Sequence, residues 1–239
     1  MRDAVTRPGR GRRHAASNAR QAPIASEPGL RERNRLDKLS RIKAAAKDLF
    51  TELGFDRATT RAIAERAHVG LGTLFNYADD KRDLVFLIFN EELDRITDTA
   101  FANIDPQLPP AAQLACAFGV FYREFAASPT LSRILLQELT FYSHGKLAAD
   151  FQRSKRRTIG FIERLVASAQ RAGRLGDDED PGFIALSLFF LYSGAVRYWI
   201  AGDRPNPRRG AEELQRMIEL HLRALVPGPA GRGPPARAR

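Results

Sequence analysis

The sequence contains a single cysteine, Cys116, and four scattered histidines. One thiol cannot form a disulfide within the chain, and the histidines lack metal-ligand spacing, so we expect neither disulfides nor a metal site. The longest apolar run, residues 183–200, is interrupted by polar side chains such as Ser187 and Arg197. We therefore expect no membrane span, no export signal and a reducing, cytoplasmic location. No nucleophile–base pattern is visible, and we expect neither catalytic residues nor a cofactor.

Acidic residues are outnumbered, with 28 Asp and Glu against 38 Lys and Arg, and the net charge is +10. The excess lies at the two ends: the segment before Leu36 carries +6 and the segment after Val226 carries +3. The long central part is nearly neutral. A nucleic-acid partner must therefore be argued from a motif and not from net charge.

Strand-like alternation is also missing, and apolar residues recur at intervals of three and four. We predict an all-α chain of about nine helices, with residues 1–35 a disordered basic arm and residues 227–239 a disordered tail. The predicted helices, separated by Gly and Pro, are Leu36–Leu53, Thr60–Ala67, Leu71–Tyr77, Lys81–Phe101, Pro110–Ala127, Thr130–Tyr142, Lys146–Ala172, Pro181–Ala201 and Pro207–Leu225.

The second and third of these helices, around a tight turn, have the spacing of a helix-turn-helix. Thr59 or Thr60 is a suitable N-cap, and Ile63, Ala64 and Leu74 belong to a small apolar nucleus. This leaves an outer face on the short second helix of the motif, and that helix enters the DNA major groove in such proteins. The residues assigned to the outer face are Leu71, Gly72, Thr73, Asn76 and Tyr77.

This region resembles the DNA-binding domain of the TetR family. The resemblance is carried by Ile42, Ala45, Ala46, Leu49, Phe50, Gly54, Phe55, Thr59, Thr60, Ile63, Ala64, Ala67, Val69, Gly72, Thr73, Leu74, Phe75, Tyr77, Lys81 and Leu84. It implies a three-helix DNA-binding domain at residues 36–89 and a helical effector-binding and dimerisation domain at residues 90–226. His68, Gly70 and Ala78 depart from the usual family pattern.

The resemblance also assigns roles in DNA binding. Thr60 and Tyr77 would hold phosphates, and Lys81 would clamp another phosphate from the start of the next helix. The groove wall would be contacted by Phe75. Base edges would be faced by Arg61, Leu71, Gly72, Thr73 and Asn76.

The C-terminal part is rich in aromatic residues at helical spacing, and members of the family bind a small effector among these helices. We predict that an effector pocket is lined by Phe121, Phe125, Gln137, Glu138, Tyr142, Phe161, Phe189 and Tyr192. The last two helices are apolar on more than one face, as expected of helices buried on two sides. The resemblance implies that the second side packs on a two-fold partner, and the predicted homodimer interface contains Phe183, Phe190, Val196, Leu214, Met217 and Ile218.

The sequence thus favours a transcription regulator that binds a double-stranded DNA operator as a homodimer and is released as a repressor by a small, largely apolar effector. An alternative is an architectural DNA-coating protein without an effector, which would bind mainly through its basic ends. Removal of the residues before Leu36 distinguishes the two hypotheses, because only the coating protein would lose most of its DNA binding.

Overall fold

The computed structural model describes residues 29–226 apart from Asn103, so most of the predicted arm and all of the predicted tail lie outside the described residues. Within this part of the chain there are nine α-helices and no strand, as the sequence predicts. The helices are α1 (Leu30–Arg57), α2 (Thr60–Arg66), α3 (Leu71–Phe75), α4 (Lys81–Ala102), α5 (Pro110–Ala127), α6 (Pro129–Glu138), α7 (Ala148–Arg171), α8 (Pro181–Ile200) and α9 (Pro207–Leu222).

Helix α1 begins at Leu30 and not at the predicted Leu36, so the last residues of the predicted arm are helical. Its helical backbone is interrupted at Gly54, where φ is 78° and ψ is 170°. Glycine adopts this left-handed φ without the steric cost that a Cβ would add. This residue directly follows Leu53, the predicted end of the first helix, and its backbone conformation breaks the helix there.

Helices α2 and α3 are too short to be stable alone and are held by tertiary contacts. Ile63 and Leu74 are fully buried between them and α1. Ala78, at the position where the family pattern has an aromatic residue, is also fully buried. The first three helices thus form a small unit around one apolar nucleus.

Helices α4 to α9 form a bundle in which α5 packs along α9 and α7 along α8. The approach of α9 to α5 depends on Gly210, because a Cβ there would lie 2.5 Å from ring carbons of Tyr122. Helix α4 contacts α1 as well as α5, α6 and α7, and it crosses the predicted boundary at residues 89 and 90. A movement of α4 would therefore displace its contacts both with α1 and with the helices of the bundle.

Candidate functional site

The turn between α2 and α3 is fixed by several polar contacts. The Thr59 hydroxyl accepts a hydrogen bond from the backbone N–H of Ala62 at 3.1 Å and so caps α2. His68 has a φ of 52°, a left-handed conformation that histidine tolerates better than most residues. Arg41 on α1 donates hydrogen bonds to the carbonyls of Ala67 and His68 at 2.8 and 3.2 Å. The sequence gives no sign of this contact, because nothing near Arg41 in the chain indicates its partners on the turn.

The nine residues predicted to contact DNA are exposed or half-buried, and none of them is fully buried. Arg61, Gly72, Phe75 and Asn76 are exposed, whereas Leu74 between them is fully buried against the core. The remaining predicted contacts are half-buried: Thr60, Leu71, Thr73, Tyr77 and Lys81. Helix α3 therefore presents an outer face that core packing does not use.

Two of the predicted phosphate-binding groups already have partners within the chain. The hydroxyl of Tyr77 donates to the carbonyl of Arg35 at 3.1 Å. The ammonium group of Lys81 donates to the carbonyls of Phe55 and Asp56 at 2.6 and 3.1 Å and lies 4.4 Å from the centre of the Phe55 ring. An ammonium group has three donors, so Lys81 keeps one N–H that could contact a phosphate.

The start of α4 is tied to the loop that precedes α7 through Asp83, whose side chain is fully buried. Its carboxylate accepts hydrogen bonds from the Tyr142 hydroxyl and from the backbone N–H groups of Asp79 and Lys146, the last two at 2.8 and 3.2 Å. Lys146 also donates to the carbonyl of Phe75, the last residue of α3, and pairs with Asp79 at 2.8 Å. We call Asp83, Tyr142 and Lys146 the α4 junction.

A glycine is required at this junction. Gly145 has a φ of 128°, and a Cβ there would collide with the Asp83 carboxylate. Burial raises the pKa of Tyr142, and its hydrogen bond to Asp83 raises it further, so the hydroxyl remains a donor. Tyr142 was predicted to line the effector pocket, but its ring stacks on Phe86 with centroids 3.6 Å apart and lines neither of the cavities described next.

A cavity of about 450 Å³ lies among helices α4 to α8. Four of the predicted pocket residues line it: Phe121, Phe125, Phe189 and Tyr192. The hydroxyls of Thr97 and Thr158 in its wall donate to carbonyls of their own helices at 2.7 and 3.2 Å, which leaves a largely apolar surface. We call this space the chain cavity.

The other predicted pocket residues lie elsewhere. Phe161 stacks on Phe101 with centroids 4.8 Å apart and is not in the cavity wall, because α7 turns this side chain toward α4. Gln137 and Glu138 line a second cavity of about 730 Å³, which shares Leu136, Thr140 and Arg197 with the first. Helical spacing alone could not assign residues to two adjacent cavities.

The predicted dimer interface is corrected in the same way. Val196, Leu214 and Ile218 are buried within the chain, because they face the contacts of α8 and α9 with the rest of the bundle. Phe183, Phe190 and Met217 are exposed, as an interface with a second copy requires. The structure adds further exposed apolar side chains on the same two helices: Leu186, Tyr198 and Leu220.

Helix α8 is, within the described residues, the one helix that by length and composition could cross a membrane, and a third of its apolar window is buried in the bundle. Among the described residues, which are 29–102 and 104–226, no group of three or more His, Cys, Asp or Glu residues could hold a metal ion.

A helix-turn-helix joined to a helical bundle is the architecture of a class of transcription regulators. Residues 42–88 match the family described as "Bacterial regulatory proteins, tetR family". Residues 42–88 are therefore a TetR-family DNA-binding domain, and the curated relatives of the chain are named as transcriptional regulators.

One relative is the uncharacterized HTH-type transcriptional regulator YhgD of Bacillus subtilis, 23% identical over 187 residues, which are 78% of this chain and 95% of YhgD. Thermus thermophilus FadR in complex with lauroyl-CoA has a TM-score of 0.61, 23% identity, and coverage of 82% of this chain and 100% of FadR. Bacillus subtilis FadR in complex with stearoyl-CoA has a TM-score of 0.61 and 17% identity, with coverage of 75% and 96%. These two structures support the fold.

Proposed function

We propose that this protein is a homodimeric, cytoplasmic repressor that binds an operator through α3 and is released by an effector with a long apolar chain. The observation that carries the proposal is the chain cavity of about 450 Å³, which is largely apolar and lies among helices that connect to the α4 junction. Its volume lies in the usual range of small-molecule pockets, roughly 300–1,000 Å³. DNA coating through basic ends does not require a small-molecule pocket, so the cavity favours the repressor.

The DNA-binding part of the proposal rests on α2 and α3. Asn76 is exposed just after α3, where an amide can pair with adenine, and Arg61 is exposed in the first turn of α2. Arg61→Ala should weaken operator binding by about 1–3 kcal/mol and relax the preference for one base, because Arg61 is assigned to a base edge. Arg66→Ala is a matched control, because Arg66 lies on the same helix but pairs with Glu52 of α1 at 2.7 Å.

Sequence discrimination provides a second readout. Asn76→Ala should bring the affinities for operator and scrambled DNA closer together by about 1–3 kcal/mol, because it removes a base contact. Lys81→Ala should instead weaken both DNAs. Unchanged discrimination by Asn76→Ala in fluorescence anisotropy would remove Asn76 from the proposed reading face.

The homodimer is supported by one stripe on α8. Phe183, Leu186, Phe190 and Tyr198 recur at helical spacing and are 63%, 36%, 59% and 81% exposed. Large contiguous apolar surfaces of this kind are covered by a partner. In a two-fold dimer, each α3 helix would bind one half-site of the operator, and the half-sites would lie about 34–36 Å apart. Phe190→Glu should shift the sedimentation coefficient to that of a monomer, and an unchanged dimer would contradict this interface.

For the effector, long-chain acyl-CoA thioesters are the first class to test, because the two FadR structures hold lauroyl-CoA and stearoyl-CoA. Each methylene buried in an apolar cavity contributes about 0.8 kcal/mol, roughly a fourfold gain in affinity. Isothermal titration with acyl-CoAs of increasing length should therefore show affinity rising until the cavity is filled. Coenzyme A alone is the control, and affinity independent of chain length would overturn the proposed effector.

Coupling to DNA would pass through α4, which contacts the cavity and begins next to α3. An effector releases DNA only if it binds the released conformation more tightly than the DNA-bound one. The alternative of a DNA-coating protein is tested by removing residues 1–28, which precede the described helix α1. Retained operator specificity in this truncation supports the repressor, and loss of most binding supports coating.

A further inference from the structure

The second cavity, which shares a wall with the chain cavity, is lined by three arginines from three different helices. Arg82 comes from α4, Arg133 from α6 and Arg197 from α8. One carboxylate, Glu138, is in the same wall. The wall therefore has a surplus of positive charge beside an apolar space.

Two of these arginines have backbone partners in place of carboxylates. Arg133 donates to the carbonyls of Ile200 and Gly202 at 2.8 and 2.7 Å. Arg197 donates to the carbonyls of Leu136 and Ser193 at 3.1 and 2.7 Å. Within the described part of the chain neither is within ion-pair distance of a carboxylate.

The backbone bonds fix the two guanidinium groups without neutralising them. Each guanidinium has five N–H donors, so donors remain for a ligand. Burial lowers the pKa of Arg197, as expected for a partly desolvated cation that has no carboxylate of the described residues within ion-pair distance. A fixed, poorly compensated guanidinium is the kind of group that binds carboxylate or phosphate oxygens.

The third arginine is engaged in the one ion pair of this wall. Arg82 donates to Glu138 at 2.7 Å, and the Glu138 side chain is 7% exposed whereas that of Arg82 is 43% exposed. The pair joins the first turn of α4 to the end of α6, next to Asp83 of the α4 junction. A carboxylate that loses its partner while buried is strongly disfavoured, so separation of this pair would favour displacement of α6 from α4.

We propose that the second cavity binds the anionic group, carboxylate or phosphate, of an amphiphilic effector whose chain lies in the chain cavity, and that this anion competes with Glu138 for Arg82. The inference rests on the proposed function for the position of the chain. Arg197 lines both cavities and so marks the point where the apolar chain meets the charged group.

The test uses the full-length protein and three probes with the same chain: dodecyl phosphate, laurate and 1-dodecanol. The two anionic probes should bind at least about tenfold more tightly than the alcohol, and this preference should fall with salt, as expected for charge-assisted contacts. A preference for laurate assigns the cavity to a carboxylate, and a preference for dodecyl phosphate assigns it to phosphate.

Variants then separate charge from packing. Arg197→Gln should reduce the affinity for the anionic probes about tenfold more than the affinity for dodecanol. Arg171→Gln, at an exposed position that lines neither cavity, should alter none of the three affinities. Glu138→Gln should increase the affinity for the anions, because it removes the competitor for Arg82. This variant also keeps the inference testable if Arg197→Gln does not fold.

The outcomes distinguish the two proposals. Equal binding of the alcohol and the anions in the wild type, or an equal loss of all three probes in Arg197→Gln, would overturn the anion site and leave the chain cavity intact. Failure of every probe to bind would overturn the proposed effector itself, and the anion site with it.

Discussion

Tyr142→Phe tests the α4 junction by removing one hydroxyl and little else. The hydroxyl is one of three donors to the buried Asp83 carboxylate, beside the backbone N–H groups of Asp79 and Lys146. The phenyl ring keeps the stacking on Phe86, whose plane is inclined by only 7° to that of Tyr142. The substitution therefore isolates a hydrogen bond to a charged group.

The expected cost follows from that geometry. A hydrogen bond to a charged group contributes about 1.5–3 kcal/mol, and the carboxylate cannot regain a partner from water while it stays buried. We expect Tyr142→Phe to lower the free energy of unfolding by about 2 kcal/mol, roughly a 30-fold change in the unfolding constant. Urea unfolding followed by circular dichroism at neutral pH and fixed protomer concentration measures this quantity.

The control is Tyr198→Phe, because the Tyr198 side chain is 81% exposed. It should change stability by no more than about 0.5 kcal/mol. If Tyr142→Phe were as mild as this control, Asp83 would not depend on the hydroxyl and the junction would not be held as described. Operator affinity measured on the same variant shows whether loss of this bond also misplaces α3, to which Lys146 is bonded.

Gly210→Ala should lower the free energy of unfolding by about 1–3 kcal/mol through overpacking against Tyr122, although alanine is favoured in helices. In contrast, Gly119→Ala at the same α5–α9 contact should be neutral or stabilising, because a Cβ there would lie 3.7 Å from its nearest neighbouring atom. Equal effects of the two substitutions on urea unfolding would contradict this packing. Burial raises the pKa of Tyr122 and of Tyr192, so their contribution to stability is complete below the unfolded pKa of about 10 and is lost as pH rises through the higher folded values. Above an unfolded pKa of about 10, each such tyrosine should lower the free energy of unfolding by up to about 1.4 kcal/mol for every pH unit. Tyr122→Phe should therefore make the fall in stability between about pH 10 and about pH 11 shallower by the contribution of one tyrosine. Thr59→Ala should cost about 1 kcal/mol in thermal or urea unfolding by removing the cap of α2, and no measurable loss would show that the cap bond is not needed.

Local signals were enough to predict the helix-turn-helix and most helix ends. Gly54 takes a left-handed φ, Thr59 caps α2, and Pro110, Pro181 and Pro207 stand at the first positions of α5, α8 and α9. These features depend on residues within a few positions of one another, so the sequence carries them directly. The end of the sixth helix was predicted less well: the predicted helix runs to Tyr142, whereas α6 ends at Glu138 and a short 3₁₀ turn follows.

The sequence by itself determined the all-helical class, the punctuation of the helices and the face of α3 that is free of the core. Only the tertiary structure decided which apolar side chains face the bundle, the chain cavity or a second copy, because a helix that is apolar on several faces does not specify its neighbours. Thus Val196 is buried whereas Phe190 is exposed on the same helix. The convergence of Arg82, Arg133 and Arg197 is likewise a product of packing, since these residues come from helices far apart in the chain and nothing local to any of them indicates the others.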